Sequence, residues 1–167
     1  MMVFLLAAAF VPMMVEARLA ARNARALRDR GAVEPAGDVY EAMRVAYPVC
    51  FIAMAVEGWL RGAAVGATFA LGATIFSLSK VLKYWAIATL GQRWTFRVLV
   101  PPDSPRIVRG PYRVLRHPNY IAVVGELVGM GLMAQAPVSG VAAVMGFGAL
   151  MAARIRVEER ALDTRAK

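Results

Sequence analysis

Asn119-Tyr-Ile-Ala-Val-Val-Gly-Glu-Leu-Val-Gly-Met-Gly-Leu-Met133, a short Ala134-Gln-Ala-Pro137, and Val138-Ser-Gly-Val-Ala-Ala-Val-Met-Gly-Phe-Gly-Ala-Leu-Met-Ala-Ala153 form two apolar runs separated by a turn at Gln135-Ala136-Pro137. Runs joined this tightly fold back on each other as antiparallel helices. Each is shorter than the roughly 20 residues that usually cross a bilayer, so either the helices extend past these bounds or the membrane thins around them. Either way, the residues flanking the hairpin, His117 to Tyr120 before it and Arg154 to Glu159 after it, return to one membrane edge.

The rest of the chain has the same character. Hydrophobic residues make up 59% of 167 positions, the net charge is +9 and the mean hydropathy is +0.53. A soluble domain of this size would struggle to bury so much apolar surface, so the composition predicts an all-α integral membrane protein. No Ser/Gly-rich linker divides it, and residues 1–167 read as a single membrane domain. The lone Cys50 excludes an internal disulfide, leaving helix packing to hold the fold. The run Met2–Val15 lacks the basic start and cleavage site of a signal peptide and reads as a retained first span continuing to about Ala21. Further spans are expected over 43–60 and 63–82, joined at Leu60-Arg61-Gly62, which gives about five transmembrane helices. The segment 22–42 is expected to begin as an amphipathic surface helix, to break at Gly31 and to break again at Pro35-Ala36-Gly37.

Five spans place the basic residues on one side. Six lie in 16–44, eight in 80–118 and five in 152–167, leaving only Arg61 elsewhere. The positive-inside rule then puts the C-terminus in the cytoplasm and the N-terminus outside, as in a bacterial inner membrane. Anionic membrane lipids are natural partners of such a face, and orientation alone accounts for most of the individual arginines. Nucleic acid is excluded as a partner, since no reading helix or aromatic platform accompanies the charge.

The loop 91–118 departs from a generic basic loop. Pro101-Pro102 and Pro105 forbid regular helix and Gly110-Pro111 marks a turn, and long irregular loops are often functional. Pro118 opens the hairpin at the first helical position, where it costs no hydrogen bond; the free backbone N–H groups of that turn suit an anion. His117 is the only histidine, and by itself it fits capping or an interfacial place as well as function. Tyr112 and Tyr120 fit an interfacial aromatic belt equally well. A metal site is not expected, because one histidine and one cysteine do not make a ligand set. After the hairpin, Arg154 and Glu158 stand four apart on one helical face, with Arg first, the less favourable order for a purely stabilising pair. Glu57 and Glu126 lie within spans and should point into the bundle, where Glu126 serves as a substrate-channel residue or an interhelical hydrogen-bond partner. Gly125-x-x-x-Gly129 permits close helix approach. No strand followed by a Gly-x-Gly-x-x-Gly turn is present, so the soluble dinucleotide-type solution is not expected.

Gly110-Pro-Tyr-Arg-Val-Leu-Arg-His-Pro-Asn-Tyr120, the hairpin, the closing Arg154-x-x-x-Glu158-Glu159 and the upstream Leu90-Gly-Gln-Arg-Trp94 together resemble the catalytic core of the isoprenylcysteine carboxyl methyltransferase family over about 85–165. The resemblance implies S-adenosyl-L-methionine as cofactor and a site carried by the C-terminal hairpin. Tyr112, His117, Pro118, Asn119, Tyr120 and Glu158 would line the cofactor pocket, Ile107 would cover it from the cytoplasm, and Arg154 would face the acceptor, with Glu126 as a further substrate contact. Ser104-Pro105-Arg106 departs from the start of this loop in eukaryotic members. The first half, through Glu16-Ala-Arg-Leu-Ala-Ala-Arg-Asn-Ala-Arg25, Arg30-Gly-Ala-Val-Glu34 and Tyr40-x-x-Met43, is similar to short bacterial members that methylate alkylpyrone or alkylresorcinol-type lipids.

The implied function is S-adenosylmethionine-dependent O-methylation of a lipophilic acceptor, either such a lipid or a prenylcysteine carboxylate, at the cytoplasmic interface. The alternative is a non-catalytic membrane scaffold, or a small transporter using Glu57 and Glu126. Methyl transfer from a sulfonium is an in-line displacement that needs alignment above all. A carboxylate or an acidic enol is already ionised near pH 7, and a guanidinium such as Arg154 is well made to hold the oxyanion.

Overall fold

A computed structural model describes residues 1–99 and 107–163, with side chains as far as 160. The expectations placed on Pro101-Pro102, Ser104-Pro105-Arg106, Arg165 and Lys167 lie outside the described residues. The described chain is helical throughout: α1 Met2–Asp29, α2 Tyr40–Leu60, α3 Ala67–Leu90, α4 Pro118–Met133 and α5 Pro137–Asp163, with 3-10 turns at Gly91–Arg93 and Gly110–Arg113. α1, α2 and α5 are long and apolar enough to cross a membrane, and α4 adds a shorter apolar helix. The protein is an all-α integral membrane protein.

Three helix ends close in the same way. After α1, Gly31 takes a left-handed φ of +80°, its N–H bonds Arg28 O at 2.8 Å, and the next N–H, of Ala32, bonds Leu27 O at 3.0 Å. These bonds satisfy carbonyls that a helix end leaves open. Gly62 repeats the closure after α2. After α4 the left-handed residue is Gln135 (φ +51°), whose side-chain Nε2 donates to Ala64 O at 2.7 Å. The expected break at Gly31 is therefore the true end of the first helix. The first span and the amphipathic segment are one continuous helix, because Ala20, Asn23, Ala24 and Leu27 extend its buried stripe past Ala21 while the arginines stay outside.

α3 and α4 touch backbone to backbone. A Cβ on Gly129 would stand 2.7 Å from Phe76 N and 2.8 Å from Gly72 O, and one on Gly72 would meet Met133 N at 2.6 Å. Small residues make that approach possible, as the Gly125-x-x-x-Gly129 spacing predicts. Phe51, Met54, Leu127 and Met130 fill the centre of the bundle.

α3 also corrects the expected third span. It lies at Ala67–Leu90 instead of 63–82, so Lys83 joins Lys80 within the helix, and both belong to the bundle and not to the basic loop. Lys83 Nζ lies 2.7 Å from Glu16 Oε2 and 3.3 Å from Glu126 Oε1, and Lys80 Nζ lies 3.2 Å from Glu16 Oε1 and 3.1 Å from Glu126 Oε2. The Tyr47 hydroxyl donates to Glu126 as well. Two ammonium groups and two carboxylates thus balance each other among α1, α3 and α4, and charges of this kind survive in an apolar bundle only when so matched. Glu57 lies apart from them and caps α5, accepting from Ser139 N at 2.7 Å, Val138 N at 3.2 Å and the Ser139 hydroxyl at 2.5 Å.

Candidate active site at the open end of the hairpin

The hairpin turn lies at Ala134–Ala136, so the start of α4 and the last turns of α5 meet at the other end. There Arg154 Nε donates to the Tyr120 hydroxyl at 3.0 Å, and that hydroxyl donates to Glu158 Oε2 at 3.0 Å. Arg154 is buried, with only 6% of its surface exposed, so its charge needs a fixed counter-ion. Asp38 supplies it, accepting from Arg154 Nη1 at 3.2 Å. Asp38 comes from the strap between α1 and α2 and is held there by the Tyr40 and Val98 amides, at 3.1 Å and 2.9 Å.

The residues before α4 complete the cluster. The His117 ring lies against Tyr120, with centroids 5.5 Å apart and planes tilted by 39°, and its Nε2 is 3.5 Å from Glu159 Oε1. His117 Nε2 and Asn119 Oδ1 are both buried with no hydrogen-bond partner among the described residues. Buried polar atoms are rarely left so. In the first turn of α4, the Tyr120 and Ile121 amides both bond His117 O, at 3.1 Å and 3.3 Å. Pro118 has no N–H, so the turn offers fewer free donors than its sequence position suggests, and Asn119 N is the amide without a backbone acceptor among the described residues. Tyr112, in the 3-10 turn Gly110–Arg113, is half-buried; burial pushes its phenol above the usual value and the nearby Glu158 charge pushes it further. Ile107, half-buried, lies in the irregular stretch before that turn.

Of the residues singled out from sequence, Tyr112, His117, Pro118, Asn119, Tyr120, Arg154 and Glu158 lie at this end of the hairpin. Glu126 lies two turns further along α4, engaged by Tyr47, Lys80 and Lys83. Asp38 was missed. Its only signal in the sequence is an acid after Gly37 in a polar loop, and its partner Arg154 is 116 positions away.

The strap and the loop after α3 form a second polar layer at this end. Arg97 Nη1 lies 2.7 Å from Glu34 Oε1, Arg28 Nη2 lies 3.0 Å from Glu34 Oε2, and the Arg97 guanidinium sits 4.5 Å from the Tyr40 ring centroid. Partial burial, the largest single influence, pushes the Glu34 carboxyl up, but the hydrogen bonds and charges of Arg97 and Arg28 together outweigh it and hold the group below its usual value. Asn23 of α1 ties in the end of α3 through Gly91 O at 3.1 Å and Trp94 O at 2.8 Å.

The model of the isoprenylcysteine carboxyl methyltransferase (ICMT) family matches residues 71–164, a span that takes in the whole hairpin and both of its flanks. The chain belongs to this family. The ICMT match covers α4, α5 and most of α3 but leaves out the strap with Asp38. An uncharacterized protein of Bacillus subtilis (strain 168), YpbQ, is 27% identical over 159 residues, 95% of each chain. An uncharacterized protein of Haemophilus influenzae is 23% identical over 143 residues, 85% of this chain and 83% of that one. No solved structure matches. The ICMT family makes the chain a membrane methyltransferase by descent, and the likeness to YpbQ extends along the first half as well.

Proposed function

We propose that this ICMT-family protein is an S-adenosyl-L-methionine-dependent O-methyltransferase acting on a lipophilic acceptor, an alkylpyrone- or alkylresorcinol-type lipid or a prenylcysteine carboxylate, where the membrane meets the cytoplasm. The observation that carries the reading is the Arg154–Tyr120–Glu158 chain of hydrogen bonds across the open end of the hairpin, inside the family match. S-adenosylmethionine, when bound, supplies an electrophilic methyl group next to a sulfonium. The residues present fit it: His117 Nε2 and Asn119 Oδ1 are buried polar atoms in want of partners, and Glu158 can accept from amino or ribose groups. Tyr112, Tyr120, Pro118 and Ile107 supply the wall around them, and residues 85–165 form the catalytic core.

Arg154 holds the acceptor oxygen. A guanidinium stays charged at a membrane edge, and anchoring at two nitrogens fixes its plane. Alignment of this kind can contribute several kcal/mol to a displacement reaction. Arg154 is the acceptor contact at this end, and Glu126, engaged by Tyr47 and the two lysines, lies about two turns deeper along α4. The end bearing Asp38, Arg97 and Arg154 faces the cytoplasm, with the N-terminus outside, in accord with the side on which the basic residues gather. Transport through Glu57 and Glu126 draws no support: Glu126 is matched by Lys80, Lys83 and Tyr47 inside the bundle, whereas Glu57, expected to point inward, lies at the turn end of the hairpin as the cap of α5.

Purified protein incubated with a bacterial lipid extract and methyl-labelled S-adenosylmethionine should place label in an extractable lipid, or in an added S-prenylcysteine, as read by mass spectrometry. Label in neither would overturn the proposal.

A further inference from the structure

We infer that Asp38 is a positioning residue for Arg154, so that the strap outside the family match sets the acceptor-binding guanidinium; this rests on the role proposed for Arg154. The Asp38 side chain is 5% exposed and Arg154's is 7%. Asp38 is itself fixed three ways: Oδ1 accepts from the Tyr40 amide and from Arg154 Nη1, and Oδ2 accepts from the Val98 amide. A carboxylate held by two backbone amides has little freedom to rotate, and it passes that rigidity to its partner. At the opposite edge the guanidinium is tied through Nε to Tyr120.

Nε and Nη1 are therefore committed, and Nη2 is the nitrogen left without a protein partner among the described residues. It is the donor that an acceptor oxygen would meet. All three hydrogen bonds of Asp38 are spent on holding its carboxylate and Arg154 in place. Its part is to aim Arg154 and to offset its charge.

The strap is pinned independently of Asp38. Glu34 pairs with Arg28 and Arg97, Glu41 pairs with Arg97, and Arg97 lies over Tyr40. Removing the Asp38 charge should thus leave the strap docked and Arg154 loose. A reacting group displaced by about an ångström can cost on the order of 100-fold in rate.

The test compares wild type, Asp38→Asn, Asp38→Glu and Arg154→Ala in detergent, with a long-chain alkylpyrone and an S-prenylcysteine as probe acceptors. S-adenosylhomocysteine affinity is measured beside turnover. Asp38→Asn should lower kcat roughly 10- to 100-fold with KM and S-adenosylhomocysteine affinity within about twofold of wild type, and Asp38→Glu should recover part of the loss. Full turnover in Asp38→Asn, with Arg154→Ala inactive, overturns this inference and leaves the proposed function standing. A kcat loss accompanied by loss of S-adenosylhomocysteine binding, or failure of Asp38→Asn to fold, also overturns it, by making Asp38 a fastener of the strap. Methylation of neither probe by wild type, or undiminished turnover by Arg154→Ala, defeats the assignment of Arg154 itself and this inference with it.

Discussion

Tyr120 and Glu158, 38 residues apart, are joined by a 3.0 Å hydrogen bond from phenol to carboxylate across the open end of the α4–α5 hairpin. The same phenol oxygen accepts from Arg154 Nε, so one side chain links a carboxylate assigned to the cofactor with a guanidinium assigned to the acceptor. Tyr120→Phe removes both bonds while keeping the ring against His117. Hydrogen bonds to charged groups contribute about 1.5–3 kcal/mol, so S-adenosylhomocysteine affinity should fall about tenfold or more. Titration calorimetry checks this, and unchanged affinity would detach Tyr120 from the site.

Arg154→Ala should cost roughly 100-fold or more in turnover while leaving cofactor affinity within a few-fold of wild type, because its proposed ligand is the acceptor oxygen. Arg154→Lys should remain impaired, since an ammonium cannot hold Tyr120 and Asp38 through separate nitrogens of one plane. Rates with labelled cofactor beside binding isotherms separate the two effects. Loss of both together would move Arg154 to the cofactor side.

The ion cluster of Glu16, Lys80, Lys83 and Glu126 should behave as a matched set. Lys83→Met leaves a carboxylate short of its counter-charge and should destabilise the protein by about 3–5 kcal/mol. Adding Glu16→Leu restores the balance and should recover much of that loss. Thermal unfolding in detergent tests the pair, and a double variant no better than the single would show that the charges are not matched in this way.

These cases mark what was legible in the sequence. The hairpin could be read because its turn, Gln135-Ala136-Pro137, lies nearly midway between Tyr120 and Glu158, so antiparallel folding alone brings them together. The breaks at Gly31 and Gly62 could be read because a left-handed residue is needed there. Lys80 and Lys83 could not, because a lysine after an apolar run signals the end of a span unless its carboxylates are known, and those lie on other helices. Asp38 was hidden for the same reason: a short polar loop does not announce that it reaches the last helix. Helix as far as Arg30 could be read, but not that it continues the first span as one buried element, because its arginines suggest surface while Ala20, Asn23, Ala24 and Leu27 keep the buried stripe going.

Glu34 should give the strap an acid-sensitive component. Its carboxyl is held below the usual value in the folded protein, so its ion pairs stabilise fully above the unfolded pKa of about 4.3 and fade as pH falls through the lower folded value. Thermal midpoints of wild type and Glu34→Gln should therefore differ near neutrality and converge only once the pH has fallen below the lowered folded value. A difference that persists unchanged into acid would contradict the pairing with Arg28 and Arg97.

The central claim is that the open end of the hairpin holds S-adenosylmethionine, and titration of S-adenosylhomocysteine into detergent-purified protein tests it most directly. Saturable one-site binding by wild type, abolished in Glu158→Ala without loss of helical content, is the expected result. No saturable binding by wild type, or equal binding by Glu158→Ala, would contradict it.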